Sequence, residues 1–127
     1  MNDVVLDASA LLALLNAEKG AGLVQNLLPG AVISTVNLAE VVTRLTAVGM
    51  PENEIRDSLA LLGLESLPFD EEQAFQAGLI YSHVQPYGLS LGDRACLALA
   101  RSLGATAVTA DHIWKDVHLG VGIQIIR

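Results

Sequence analysis

Aromatic side chains make up only 4% of these 127 residues, so the interior has to be filled by Leu, Val, Ile and Ala. There is a single cysteine, Cys96, which excludes an internal disulfide. It lies among apolar neighbours and reads as a small buried hydrophobe. Charge is scarce at 17% and one-sided: seven Lys and Arg against fourteen Asp and Glu leave a net charge of −7. Non-specific nucleic-acid affinity comes mainly from Lys and Arg, so a broad phosphate-binding surface is disfavoured. Long apolar runs are also missing. Ala8 to Leu15 is too short to span a membrane and follows Asp7. Asp3 stands where a signal peptide would carry positive charge, and no cleavage pattern follows. A cytoplasmic protein without membrane association is expected. Repeats, low-complexity segments and linkers are absent. At 52% apolar residues the chain is not disordered, and its length suits one domain, residues 1–127, with one core.

What is present alternates. Val4-Val5-Leu6 is an apolar run that reads as a buried strand. Ala8 to Glu18 reads as a helix, broken by Gly20 and Gly22, with a short helix from Gly22 to Leu28. A strand is expected over Ala31–Ser34, then an amphipathic helix over Thr35–Gly49 with Leu38, Val41, Val42 and Leu45 on one face. Pro51 opens another helix as far as Gly63. Leu64 to Pro68 is a weaker third strand, and Asp70 starts a helix reaching about His83. After the Pro86-Tyr87-Gly88 loop, Ser90 caps a helix ending at Gly104. Thr106–Thr109 and Val121–Ile126 read as the last strands, with a turn or short helix over Asp111–Lys115 between them. The pattern predicts a three-layer α/β/α fold around a parallel sheet of about five strands.

Ligands of such sheets bind beyond the carboxyl ends of the strands. Asp7 ends the first strand and Asp111 follows the fourth. Glu40 and Asp93 lie early in helices that follow a strand or loop, where side chains point back to the same edge. Each acid also has an ordinary role available. Asp7 and Asp111 suit helix caps, Ser90 with Asp93 resembles a capping box, and Glu40 stands one turn before Arg44. Four carboxylates crowded together would repel unless hard cations such as Mg²⁺ or Mn²⁺ occupied the space. Such cations also reverse the local charge of an acidic pocket. No Cys, Lys or His stands at a comparable position to act as a covalent nucleophile. Phosphodiester hydrolysis by metal-activated water is the reaction class this donor set points to.

These segments resemble a known family. Val5-Leu6-Asp7-Ala8-Ser9-Ala10-Leu11, Asn37-Leu38-Ala39-Glu40-Val41, Leu89-Ser90-Leu91-Gly92-Asp93-Arg94 and Thr109-Ala110-Asp111-His112-Ile113-Trp114 match, in order and spacing, PIN-domain proteins, and among them the VapC-type toxin ribonucleases. The resemblance implies an endonuclease that cleaves RNA with Mg²⁺ or Mn²⁺, usually a homodimer held inactive by a cognate antitoxin. By position it makes Asp7, Glu40, Asp93 and Asp111 the catalytic and metal-holding acids. It makes Ser9 and Thr109 supporting hydroxyls, and Asn37 the side chain that orients Glu40. Where many relatives carry Arg after the fourth acid, this chain has His112.

Arg94 and Arg101, a heptad apart, are candidate RNA contacts, Arg94 the better of the two, and Lys115 is a further one. His83, His112 and His118 lack zinc spacing. Trp114 suits core packing better than base stacking. The apolar faces between Thr35 and Gly63 suit a dimer interface or a groove for an antitoxin helix. Two alternatives stay open at this stage: a catalytically silent binding module of the same fold, and a receiver-like module with an acidic Mg²⁺ pocket. No Gly-rich loop follows the first strand, which excludes a dinucleotide-binding reading.

Overall fold

The computed structural model describes residues 2–127. The strands are β1 (Val4–Leu6), β2 (Ala31–Ser34), β3 (Glu65–Leu67), β4 (Thr106–Thr109) and β5 (Ile123–Ile125). They form one sheet in the order β3-β2-β1-β4-β5, and every pairing is parallel. The helices are α1 (Ala8–Leu15), α2 (Ala21–Leu27), α3 (Thr35–Ala47), α4 (Glu52–Ala60), α5 (Glu71–Leu79), α6 (Tyr81–Val84) and α7 (Leu91–Leu103). Short 3₁₀ turns follow α2, α6 and β4.

Alternation within the strands divides the core between two layers. Val5, Val32 and Ala107 point to one face, against Ile80, Cys96, Leu97 and the fully buried Trp114. Val4, Leu6 and Val108 point to the other, against Ala10, Ala13 and Val24. Ile33 joins them on that face, packed with Leu11, Val41, Leu45 and Ile55. Central strands buried on both faces have no reason to alternate polar with apolar, which is why β1 reads as an unbroken apolar run. β3 is the exception, with Glu65 and Ser66 exposed at a sheet edge.

Several boundaries differ from expectation. The first helix stops at Leu15, three residues before Glu18, because Ala17 takes a left-handed φ of 53° that a helix cannot contain. The helix expected to run to His83 is divided at Ile80 into α5 and α6. Pro51 caps α4 from outside and is not its first residue. The last strand is shorter than the apolar stretch Val121–Ile126.

The topology decides where a site can lie. From β1 the chain moves outward through β2 to β3, then returns to place β4 on the other side of β1. The order therefore reverses between β1 and β4, and the crevice at their carboxyl ends is the expected binding position. Asp7 directly follows β1, and its N–H donates to the Val108 carbonyl at 3.0 Å, which holds that crevice closed below the side chain. Among the described residues, no helix is long and apolar enough to cross a membrane.

Candidate active site

Asp7, Glu40, Asp93 and Asp111 all line one cleft of about 1310 Å³. They arrive there from the end of β1, the second turn of α3, the first turn of α7 and the turn after β4. The backbone of each element fixes its acid through local hydrogen bonds. Asp7 caps α1: its Oδ1 accepts from the Ala10 N–H at 2.8 Å and from the Ser9 hydroxyl at 2.7 Å. Its Oδ2 accepts from the Thr109 hydroxyl at 2.5 Å. Thr109 Oγ1 in turn accepts from the Asp111 N–H at 3.0 Å, and the Ser9 Oγ accepts from the Ala110 N–H at 2.9 Å. The two hydroxyls thereby stitch the end of β1 to the end of β4.

Asp93 and Ser90 form the capping box expected of them. The Ser90 N–H donates to Asp93 Oδ2 at 2.9 Å, and the Asp93 N–H donates to Ser90 Oγ at 3.2 Å. Asp111 caps its 3₁₀ turn by accepting from the Ile113 N–H on Oδ1 at 3.0 Å. Glu40 is held by the buried Asn37, whose Nδ2 donates to Glu40 Oε1 at 2.8 Å and to the Gly92 carbonyl at 3.0 Å. Asp7 and Asp111 are therefore N-caps, Asp93 is the N3 partner of a capping box, and all three still line the cleft. One oxygen serves the backbone or a neighbour, while Asp93 Oδ1, Asp111 Oδ2 and Glu40 Oε2 keep no protein donor among the described residues.

Electrostatics report the same proximity. Burial pushes the Asp7 carboxyl up from the ordinary 3.8 to about 6, against the opposing hydrogen bonds from Thr109, Ala10 and Ser9, and the Asp93 charge adds to the rise. The fully buried Cys96 thiol is raised well above its usual range, first by burial and then by Asp7, Asp93 and Glu40.

The donor chemistry suits a hard cation: carboxylate oxygens only, with no thiolate or imidazole in the set. Among the described residues, no three such side chains close on a single point as a coordination sphere. The four acids share a cleft and not yet a chelate. Mg²⁺ keeps several waters and is commonly held through one or two carboxylates, so this looser arrangement fits it.

The structure corrects the expectation for Arg94. Its Nη1 donates to the Ala77 carbonyl at 2.9 Å, and its guanidinium lies over the Tyr81 ring, 5.4 Å from the centroid. Arg101 reaches Gln76 Oε1 at 3.2 Å. Both tie α7 to α5 and neither lines the acidic cleft. Lys115 is exposed on the turn capped by Asp111. Arg44 makes no ion pair with Glu40, whose Oε1 takes Asn37 instead. Two features of the site went unread in the sequence. Gly92 lies against the Glu40 carboxylate, where a Cβ would fall 2.4 Å from Oε1; a glycine inside the first turn of a helix was the available signal. Arg44, Arg127 and Glu18 also line the cleft, and nothing in sequence joins residues so far apart.

The PIN domain family model matches residues 4–118. Solved structures of the same fold include DNA-bound VapBC from Salmonella typhimurium, at 20% identity and a TM-score of 0.79, with 100% of each chain covered. A toxin–antitoxin complex from Klebsiella pneumoniae aligns at 19% identity and a TM-score of 0.74, covering 98% of each chain. VapC20 of Mycobacterium tuberculosis, a Sarcin-Ricin loop cleaving toxin, aligns at 18% identity and a TM-score of 0.73, over 94% of this chain and 99% of that one. No curated protein sequence matches. At these identities the likeness to solved structures is one of fold. The sheet order β3-β2-β1-β4-β5 also differs from the 2-1-3-4-5 order of receiver-like folds, which removes that alternative.

Proposed function

The chain belongs to the PIN domain family, and from that premise we propose that it is a Mg²⁺- or Mn²⁺-dependent endoribonuclease, the toxin of a toxin–antitoxin pair. The observation that carries this reading is the meeting of four carboxylates from four separate elements in one cleft at the switch point of the sheet. The proposal treats residues 1–127 as one nuclease domain. Asp7, Glu40, Asp93 and Asp111 would hold the cation, and they are also the catalytic acids. A bound divalent cation supplies a more acidic water for attack on phosphorus and neutralises charge on the phosphate oxygens. Ser9 and Thr109 fix the Asp7 carboxylate by donating to both its oxygens. Asn37 keeps Glu40 turned toward α7. Lys115 is the proposed basic contact to RNA beside the turn of Asp111.

Partners follow from the remaining surfaces. A groove of about 840 Å³ between α3 and α4 is lined by Leu38, Val42, Met50, Ile55, Leu59 and Leu64. It suits the apolar face of an antitoxin helix. Phe75 and Leu79 lie one turn apart on α5 and are 61% and 63% exposed. An apolar ridge of this kind favours a homodimer. RNA cleavage with Mg²⁺ or Mn²⁺ tests the enzymatic reading. Wild-type protein cuts RNA, EDTA stops it, and Asp93→Asn lowers the rate on the order of a hundredfold. An Asp93→Asn protein that cuts as fast as wild type removes Asp93 from the site.

A further inference from the structure

The acidic cleft has a cationic mouth that the four-carboxylate reading leaves without a task. Arg44 and Arg127 line it together with Glu18. Arg44 stands one helical turn beyond Glu40 on α3, so their Cβ atoms lie about 5–6 Å apart on the same wall. Its guanidinium forms no ion pair among the described residues. Arg127 comes from the other end of the chain and is held firmly. Its Nη1 donates to Glu18 Oε1 at 2.9 Å and to the Lys19 carbonyl at 3.2 Å. His112 Nε2 donates to the backbone oxygen of Arg127. Gly20, at φ +98°, allows Ile126, the residue before Arg127, to lie close, since a Cβ on Gly20 would fall 2.8 Å from the Ile126 oxygen. Both arginines act on Glu18, whose carboxyl is pulled below its ordinary range, chiefly by the Arg127 hydrogen bond.

The other arginines are engaged away from the cleft. Arg56 pairs with Glu52, Arg94 grips Ala77 and Tyr81, and Arg101 reaches Gln76. A chain with net charge −7 therefore brings two of its few cations to the mouth of its most acidic cleft. Arg127 uses one nitrogen on Glu18 and keeps its other N–H donors for a second acceptor. Arg44 keeps all of its own.

We propose that Arg44 and Arg127 form a phosphate-binding rim that grips the RNA backbone beside the bond to be cut, with Glu18 as the positioning residue that holds Arg127 in place. The proposal rests on the ribonuclease reading above. It assigns the cleft a division of labour: carboxylates and cation at the carboxyl edge of the sheet, and guanidinium forks for phosphate oxygens from Arg44 on α3 and from Arg127.

The test is steady-state cleavage of a short labelled single-stranded RNA with Mn²⁺, run over a series of salt concentrations. Arg44→Gln and Arg127→Gln each raise KM about tenfold while kcat changes less than about twofold, since phosphate contacts act on binding more than on chemistry. The slope of log(1/KM) against log salt falls by about 0.7 for each lost phosphate contact on a single strand. Arg44→Lys restores part of the affinity, because it keeps the charge and loses the fork. Glu18→Gln raises KM less than Arg127→Gln does. If both Gln variants keep wild-type KM and salt slope, the rim does not bind RNA and the proposal is overturned. If they lose kcat at unchanged KM, these residues act on chemistry and the proposal is equally overturned. Wild-type protein that cuts no RNA is a different failure: it sinks the ribonuclease reading itself, and the rim proposal with it.

Discussion

Asp7→Asn lowers metal-dependent RNA cleavage on the order of a hundredfold or more, and at the same time makes the metal-free protein more stable at pH 8. Asp7 is only 4% exposed, and burial raises its carboxyl from 3.8 to about 6. Below about pH 3.8 the group is protonated in the folded and the unfolded chain alike, and it contributes nothing to pH dependence. Between about pH 4 and 6 the unfolded chain ionises while the folded one holds its proton, so stability falls as pH rises. Above about pH 6 the folded state carries the full cost, roughly 3 kcal/mol by the free energy of one pKa unit. Asn cannot ionise. Its carbonyl can still accept from the Ala10 N–H and the Ser9 hydroxyl, which now meet Oδ1. Thermal melts in EDTA should therefore place Asp7→Asn several degrees above wild type at pH 8, with the gap closing at pH 4. Added Mn²⁺ stabilises wild type and narrows the gap. An Asp7→Asn protein that melts below wild type at pH 8 would mean the carboxylate serves the fold, with no stability given up for a cation.

Gly92→Ala separates activity from stability in a different way. A Cβ at position 92 would fall 2.4 Å and 2.5 Å from the two Glu40 carboxylate oxygens and 2.6 Å from Cδ. The obstacle is the far end of a flexible side chain, so Glu40 moves aside and the backbone stays. Moving it breaks the 2.8 Å bond from Asn37 and turns Glu40 away from α7. Misplacing a metal-holding carboxylate costs about 10–100-fold in activity or metal affinity. Stability should hold, since Ala is the better helix residue by up to about 1 kcal/mol. Cleavage rate against Mn²⁺ concentration, paired with a thermal melt, reads both. A weakened dependence on Mn²⁺ in an unchanged fold supports the steric account. Unchanged activity would show that the Glu40 carboxylate is free to sit elsewhere.

Much of this arrangement was legible in the sequence because its signals are local. Val4–Leu6 and Ala31–Ile33 are apolar runs too short for helices, and both are strands buried on both faces. Asp7 and Asp111 stand where caps belong, next to the ends of strands, and they cap there, while Asp93 stands at the N3 position of a capping box with Ser90 and fills it. That they serve helix starts and that they line one cleft could both be read from position alone. What escaped depends on contacts across the chain. Arg94 looked like a phosphate contact because it follows Asp93, yet the packing of α5 against α7 turns its guanidinium to Ala77 and Tyr81. The end of α1 follows from one left-handed residue, Ala17, a conformation that alanine gives no reason to expect. Arg127 and Glu18 meet across a separation of 109 residues, and no periodicity encodes that pair. Gly92 was visible as a letter, but its purpose appears only once Glu40 is seen against it.

The four carboxylates that share the cleft should act together on a divalent cation. Titration of the wild-type protein with Mn²⁺, followed by calorimetry or by the loss of the free-ion paramagnetic signal, tests that directly. Wild type should bind Mn²⁺, and Glu40→Gln, Asp93→Asn and Asp111→Asn should each weaken binding about tenfold or more. Wild-type protein that takes up no Mn²⁺, or three variants that bind it as tightly as wild type, would contradict the cation site.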